Sequence, residues 1–133
     1  MWFDEMTKLG YENGIKPAIE AVGYTPLRID DKEHSNKIDD EIIAEIRRSR
    51  CLVADFTCRP REARGGVYFE AGFAMGLNIP VVWTCHQDSL NDLHFDTRQY
   101  NHVVWDKPED LQDKLKKRIA AQLGFGPLHK VQA

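Results

Sequence analysis

Gly65-Gly66-Val67-Tyr68-Phe69-Glu70-Ala71-Gly72-Phe73-Ala74-Met75-Gly76-Leu77 places one carboxylate in an apolar, small-residue helix directly after a glycine pair. An apolar run precedes this stretch, Cys51-Leu52-Val53-Ala54-Asp55-Phe56, and another follows it, Ile79-Pro80-Val81-Val82-Trp83-Thr84-Cys85. The order strand, loop, helix, strand is a βαβ unit. Its two strands run parallel, and ligand sites in such sheets gather at the carboxyl ends of the strands.

Both runs are too apolar for a strand with one wet face, so helices are expected on both sides of the sheet. This predicts an α/β fold: a doubly wound, flavodoxin- or Rossmann-like parallel sheet sandwiched by helices. Working outward, Ile38 to Arg48 reads as a helix with Ile38, Ile42, Ile43 and Ile46 on one face. Its acids Asp39, Asp40 and Glu41 lie in the first turn and Arg47 and Arg48 in the last, as the helix dipole favours. Upstream, Glu5 to Val22 is helical in spacing and Gly23 ends it, with Pro17 marking a bend or a restart after Gly14. Pro26-Leu27-Arg28-Ile29 reads as a short strand, and Asp30 to Lys37 as a charged loop. Downstream, His102 to Trp105 is the last strand. Pro108 to Leu123 is the last helix, with Leu111, Leu115, Ile119 and Leu123 in line.

A helix on a parallel sheet is normally fed by a strand, yet Met1-Trp2-Phe3-Asp4 leads straight into the first helix. The sheet is therefore expected to lack its usual first strand, or that strand belongs to residues ahead of Met1. Residues 1–126 are read as a single domain, since 133 residues need no second one, and residues 127–133 as a frayed tail. Gly72 and Gly76 are expected to let their helix lie close on the sheet.

A composition of 42% hydrophobic and 29% charged residues is ordinary for a globular domain, and a net charge of -3 argues against nucleic acid or an anionic membrane as partner. Small molecules and other proteins remain. Cys51, Cys58 and Cys85 are odd in number and form no CxxC pair, which suits reduced thiols and a cytoplasmic protein. There is no apolar run of about 20 residues to span a bilayer and no basic-then-apolar leader.

Glu70 is the first candidate for chemistry, because an acid among Val67, Phe69, Ala71, Phe73 and Ala74 is poorly solvated and tends to a raised pKa. Two readings stand: nucleophile or general acid/base, or a dipole-stabilised acid in a helix's first turn. Gly65 and Gly66 let a ligand approach the backbone at a helix amino end. Asp55 ends its strand at the same edge, either orienting a substrate or closing an Asx turn. Arg59, Arg61 and Arg64 suit a phosphate or a solvated loop. The segment from His94 to His102, with Asn101, is placed to wall a pocket. His86, His94 and His102 with Asp88 and Asp96 match no compact ligand spacing, so no metal or other cofactor is expected. Cys85 reads as a small buried residue.

These residues resemble the nucleoside 2-deoxyribosyltransferase-like superfamily, over about Ile38 to Thr84 and more weakly at Trp2-Phe3-Asp4 and the final strand. The motif is an apolar strand ending near an acid, a glycine-containing loop, a helix like Gly66 to Ala74, and then Gly-x-x-Pro-Val, here Gly76-Leu77-Asn78-Ile79-Pro80-Val81 with one residue more between glycine and proline. The resemblance implies that Glu70 attacks the anomeric carbon of a nucleoside or nucleotide, with Asp55 and Asp40 or Asp39 orienting the sugar. It also implies that Trp2, Phe3 and Asp4 cradle the base, with Trp2 or Tyr68 stacking on it, and that the chain forms a homo-oligomer. Arg64 stands where many transferases carry a further acid. An N-glycosidic-bond enzyme, either deoxyribosyltransferase or hydrolase, is the expectation. A non-catalytic nucleotide sensor akin to Toll/interleukin-receptor-like domains, and a protein-interaction domain with a vestigial site, are the alternatives.

Overall fold

The computed structural model describes residues 5–28, 38–58, 65–93 and 100–129. Helix α1 (Glu5–Gly10) passes through a π-helical turn, Tyr11–Ile15, into α2 (Lys16–Ala21). Pro17 falls in the first turn of α2, where a missing N–H removes no helical hydrogen bond, so the helix restarts there as the proline requires. Then follow α3 (Ile38–Arg48), β1 (Leu52–Asp55), α4 (Gly65–Gly76), β2 (Val81–His86), a 3-10 turn Gln87–Asp92, β3 (Val103–Trp105) and α5 (Pro108–Leu123).

The three strands form a small open parallel sheet in the order β1-β2-β3, flanked by helices. The pleat sends alternate side chains to opposite faces. On β2, Val82 joins Tyr11, Ile15, Ala18 and Leu115 in one core, while Val81, Trp83 and Cys85 join Ile46, Val67, Ala71 and Ala74 in the other. One face is thus covered by α1, α2 and α5, and the other by α3 and α4. All six residues of β2 are buried, which accounts for its continuous apolar run.

The expected strand at Pro26–Ile29 is not formed over its described part. Residues 24–28 make no ladder, and Leu27 is 49% exposed. An extended segment becomes a strand only beside another backbone, and β1, the nearest edge, pairs with β2 alone among the described residues. Asp30–Lys37 lies outside the described residues.

The glycines that permit close packing also differ from expectation. Nothing lies within 4 Å of a Cβ built on Gly72 or Gly76, because α4 meets the sheet through Val67, Ala71 and Ala74 instead. A Cβ on Gly14 would lie 2.9 Å from Leu111 Cδ2 and 3.0 Å from the Pro108 carbonyl oxygen, and one on Gly10 would lie 3.1 Å from the Trp105 ring. These two glycines let the first helical layer settle against α5 and β3. The chain past α5 is tied down too. Gly126 N–H donates to Val22 O (2.7 Å) and Leu128 N–H to Gly23 O (3.0 Å), with Gly23 in the left-handed region at φ +92°. The stretch expected to fray from Pro127 is therefore hydrogen-bonded as far as Leu128 and His129, while residues 130–133 lie outside the described part. No helix among the described residues is long and apolar enough to cross a membrane.

Gly14→Ala is expected to destabilise the fold by about 1–3 kcal/mol through overpacking. Gly72→Ala, in open space within a helix, is expected to stabilise it by about 0.5–1 kcal/mol. Urea unfolding of the two variants reads both signs as opposite shifts of the midpoint at an unchanged slope.

Candidate functional site

Asp55 ends β1 with its side chain turned into the protein, and the residue is 1% exposed. Its Oδ1 accepts from Thr57 N–H (2.9 Å), and its Oδ2 accepts from Thr84 Oγ1 (2.7 Å) and from Trp105 Nε1 (3.0 Å). Thr84 is its register partner on β2, and Trp105 ends β3, so one carboxylate links all three strands. The i to i+2 bond to Thr57 is the Asx turn that was the structural alternative for this residue. Both oxygens are engaged by donors of the scaffold.

Asparagine cannot replace it. Either amide orientation sets an NH2 group against Thr57 N–H or Trp105 Nε1–H, each of which can only donate. Asp55→Asn is expected to destabilise the protein by about 1–3 kcal/mol, read as a fall in thermal midpoint, with the strand content preserved in the folded state.

Asp55 also borders a cavity of about 1000 Å³ that runs beside β1. At the carboxyl end of the strand the cavity is lined by Gly66, Val67 and Glu70, and at the amino end by Arg50 and Cys51. Its side walls carry Tyr11, Ile15 and Ile19 from one helical layer and Ile42 and Ile46 from the other. Glu70 is half-buried here, one turn after Gly66, and its Oε1 would lie 3.9 Å from a Cβ on Gly66. The carboxylate thus curls back over the start of α4. Burial raises its pKa above the ordinary 4.5, because the ionised form is separated from water.

A second acid in this cavity was not singled out from the sequence. Glu45 is 7% exposed, lines the same cavity, and accepts a hydrogen bond from Arg48 one turn later. Its signal was available: position 45 lies three residues after Ile42 and adjoins Ile46, within the apolar stripe of α3.

The other expected site residues divide. Gly65 and Gly66 open α4 as its first two residues. Asp39 and Asp40 lie in the first turn of α3, with their side chains outside the described part. Trp2, Phe3 and Asp4, and the arginines 59, 61 and 64, lie outside the described residues altogether. Tyr68 does not line the cavity. Its ring packs on Phe56 (4.8 Å between centroids) in an aromatic cluster with Trp83, Tyr100 and His102. Within that cluster Tyr100 stacks on Trp83 at 4.5 Å, and burial holds the His102 pKa below its usual value. Asn101 is exposed, and its carbonyl accepts from Arg118.

His86 uses both ring nitrogens on backbone, accepting from Asp88 N–H (3.1 Å) and meeting the Asp106 carbonyl (2.9 Å). This accounts for its burial beneath the 3-10 turn. Burial and the nearby Asp55 carboxylate push the Cys85 thiol up to about 12, so it is an inert core residue.

Comparison with protein-family models, with curated proteins and with solved structures gives no match to this chain. The functional argument accordingly rests on residues and geometry.

The raised pKa of Glu70 fixes a sign. The folded state holds its proton to higher pH than the unfolded chain, so this group's stabilising contribution is complete below pH 4.5 and is lost as pH rises through the folded value. Glu70→Gln removes that loss. The variant is expected to gain stability over the parent as pH rises from 4 to 7, and denaturant midpoints measured across that range check it.

Proposed function

We propose that this protein cleaves or exchanges the N-glycosidic bond of a nucleoside or nucleotide, with Glu70 as nucleophile. The observation that supports this most is a half-buried carboxylate at the glycine-led start of α4, on a cavity at the carboxyl end of a parallel strand. The resemblance of the Gly66–Ala74 helix to the nucleoside 2-deoxyribosyltransferase-like superfamily points the same way. The finer fold reading, a doubly wound sheet of the flavodoxin or Rossmann kind, belongs to the same proposal.

In the chemistry proposed, a Glu70 carboxylate oxygen bonds to the anomeric carbon as the bond from that carbon to the base nitrogen breaks. The electron pair leaves with the base, which takes a proton from solvent. Water, or a second base, then attacks the anomeric carbon and gives up a proton to solvent as the carbon–oxygen bond to Glu70 breaks, releasing the sugar or the new nucleoside and regenerating the carboxylate. Low polarity around Glu70 favours this sequence, because a poorly solvated carboxylate gains more by neutralising a developing oxocarbenium charge. Asp39 or Asp40, Trp2, Phe3 and Asp4 are proposed to hold the sugar and base. Asp55 is assigned to holding the strands that carry the site.

A specific observation favours a second reading. With both Asp55 oxygens taken by Thr57, Thr84 and Trp105, the acid expected beside the nucleophile is committed to the scaffold, as suits a domain that binds a nucleotide without turning it over. A homo-oligomer is proposed as well. On α4 the apolar side chains of Phe69 and Met75 are 57% and 41% exposed. The three free cysteines, Cys51, Cys58 and Cys85, suit a reducing cytoplasm.

Incubation with a panel of nucleosides and nucleotides, with free base followed by chromatography, tests the enzyme reading. Base is expected from the parent chain, with Glu70→Gln slower by about 10³-fold or more. Because the nucleophile must be ionised, the rate is expected to rise with pH through a limb above the ordinary carboxyl value of 4.5. Stabilisation by a nucleotide without any release of base moves the assignment to the sensor.

A further inference from the structure

Beyond Asp55 and Thr84, the last register pair of β1 and β2, buried side chains take over from the backbone ladder. Thr57 Oγ1 accepts from His86 N–H (3.0 Å). Ser89 Oγ accepts from Cys58 N–H (3.2 Å) and donates to Cys58 O (3.0 Å), so one hydroxyl satisfies both backbone groups of a residue 31 positions away. Thr57, Cys58, His86 and Ser89 are all buried. His86 in turn caps the 3-10 turn that carries Ser89, through its Nδ1 on Asp88 N–H. Hydroxyls therefore clamp the exits of the two strands together, in a place where a backbone group left unpaired is costly.

What the clamp fixes is the approach to Glu70. Cys58 precedes Gly65, the first residue of α4, by seven positions. Because α4 begins with Gly65-Gly66, the residue type with the greatest backbone freedom and a poor helix former, its first turn gains little from its own sequence. The turn is placed instead by what it packs on and by the chain that leads into it. Packing supplies one support: Val67 shares a core with Phe56 and with Leu93, which follows the 3-10 turn, and the Tyr68 ring lies on Phe56. The hold of Ser89 on Cys58 supplies the other. Glu70 depends on both, because its carboxylate lies back over Gly66, and a first turn that frays opens that carboxylate to water.

We infer that Ser89 is a positioning residue for the reaction at Glu70. By holding Cys58 through both of its backbone groups, it fixes where the chain enters α4 and so keeps the Glu70 carboxylate against the first turn. It acts through the backbone of Cys58 and not on substrate, and its role rests on the reading of Glu70 as the reacting group. Serine suits the task because one hydroxyl both donates and accepts. Alanine does neither, and leaves the buried Cys58 N–H and C=O without this partner.

The first readout is the Glu70 carboxyl itself, isotope-labelled and titrated by NMR in the full chain. In Ser89→Ala its midpoint is expected to fall from the raised value of the parent toward 4.5, because a loosened first turn lets water reach the ionised form. Ser89→Cys, of nearly the same shape but a weaker donor and acceptor, is expected to move it the same way by less, and it serves if the alanine chain does not fold. Ile119→Val truncates a buried residue of α5 in the other core, lowers thermal stability, and is expected to leave the Glu70 titration where it is. Base release is the second readout. Its kcat is expected to fall by about 10- to 100-fold in Ser89→Ala, with less change in KM. A parent chain that releases no base removes the enzyme reading alone, and the titration still decides whether Ser89 places Glu70. A Glu70 midpoint unchanged in both serine variants overturns the proposal, and so does a shift of equal size in Ile119→Val.

Discussion

The Asp55 carboxylate is the constraint on which the rest of the structure depends. A charged group that is 1% exposed is tolerated only because three donors from three places in the chain converge on it: the Thr57 amide, the Thr84 hydroxyl and the Trp105 indole. Those donors lie just after β1, on β2 and at the end of β3. The carboxylate therefore fixes the register of the sheet at its carboxyl end. The placement of the Trp105 ring propagates the constraint outward, since Gly10 in the first helical layer can approach it closely only because it lacks a side chain.

Much of this architecture was legible in the residues. The bounds of α3 and α5 follow from apolar periodicity and from charges matched to helix ends, and the all-buried β2 follows from its unbroken apolar run. The failures share a cause, which is that they depend on neighbours distant in sequence. Pro26–Arg28 has strand chemistry but joins no ladder among the described residues. Gly72 and Gly76 look like packing glycines, yet the helix rotation buries Ala71 and Ala74 instead, and close approaches occur at Gly10, Gly14, Gly23 and Gly126. Pro127–His129 has no periodicity, and it is held by backbone bonds to the turn after α2.

The candidate site was legible in a similar proportion. Glu70 stood out because it interrupts an apolar helix, and the structure half-buries it on a cavity. Asp55 stood out by position and its bond to Thr57 is local, but its other two hydrogen-bond partners lie 29 and 50 residues away, beyond the reach of local pattern. Glu45 was hidden by the opposite effect: one acid among several in a charged helix, distinguishable only by the face it occupies. Tyr68, read as a stacking partner, follows the helix to the other core and packs on Phe56.

The division of the cavity follows from these placements. β1 runs along its length, and Glu70, half-buried, lies at its carboxyl end. The central claim concerns the acid. Intact-mass spectrometry after mixing with 2′-fluoro-substituted nucleosides, which slow the second step by destabilising positive charge at the anomeric carbon, tests it most directly. The account predicts a mass increase of one fluorinated glycosyl group, mapped by peptide digestion to Glu70 and absent from Glu70→Gln. An unmodified protein that still releases base, or an adduct on another residue, would contradict it.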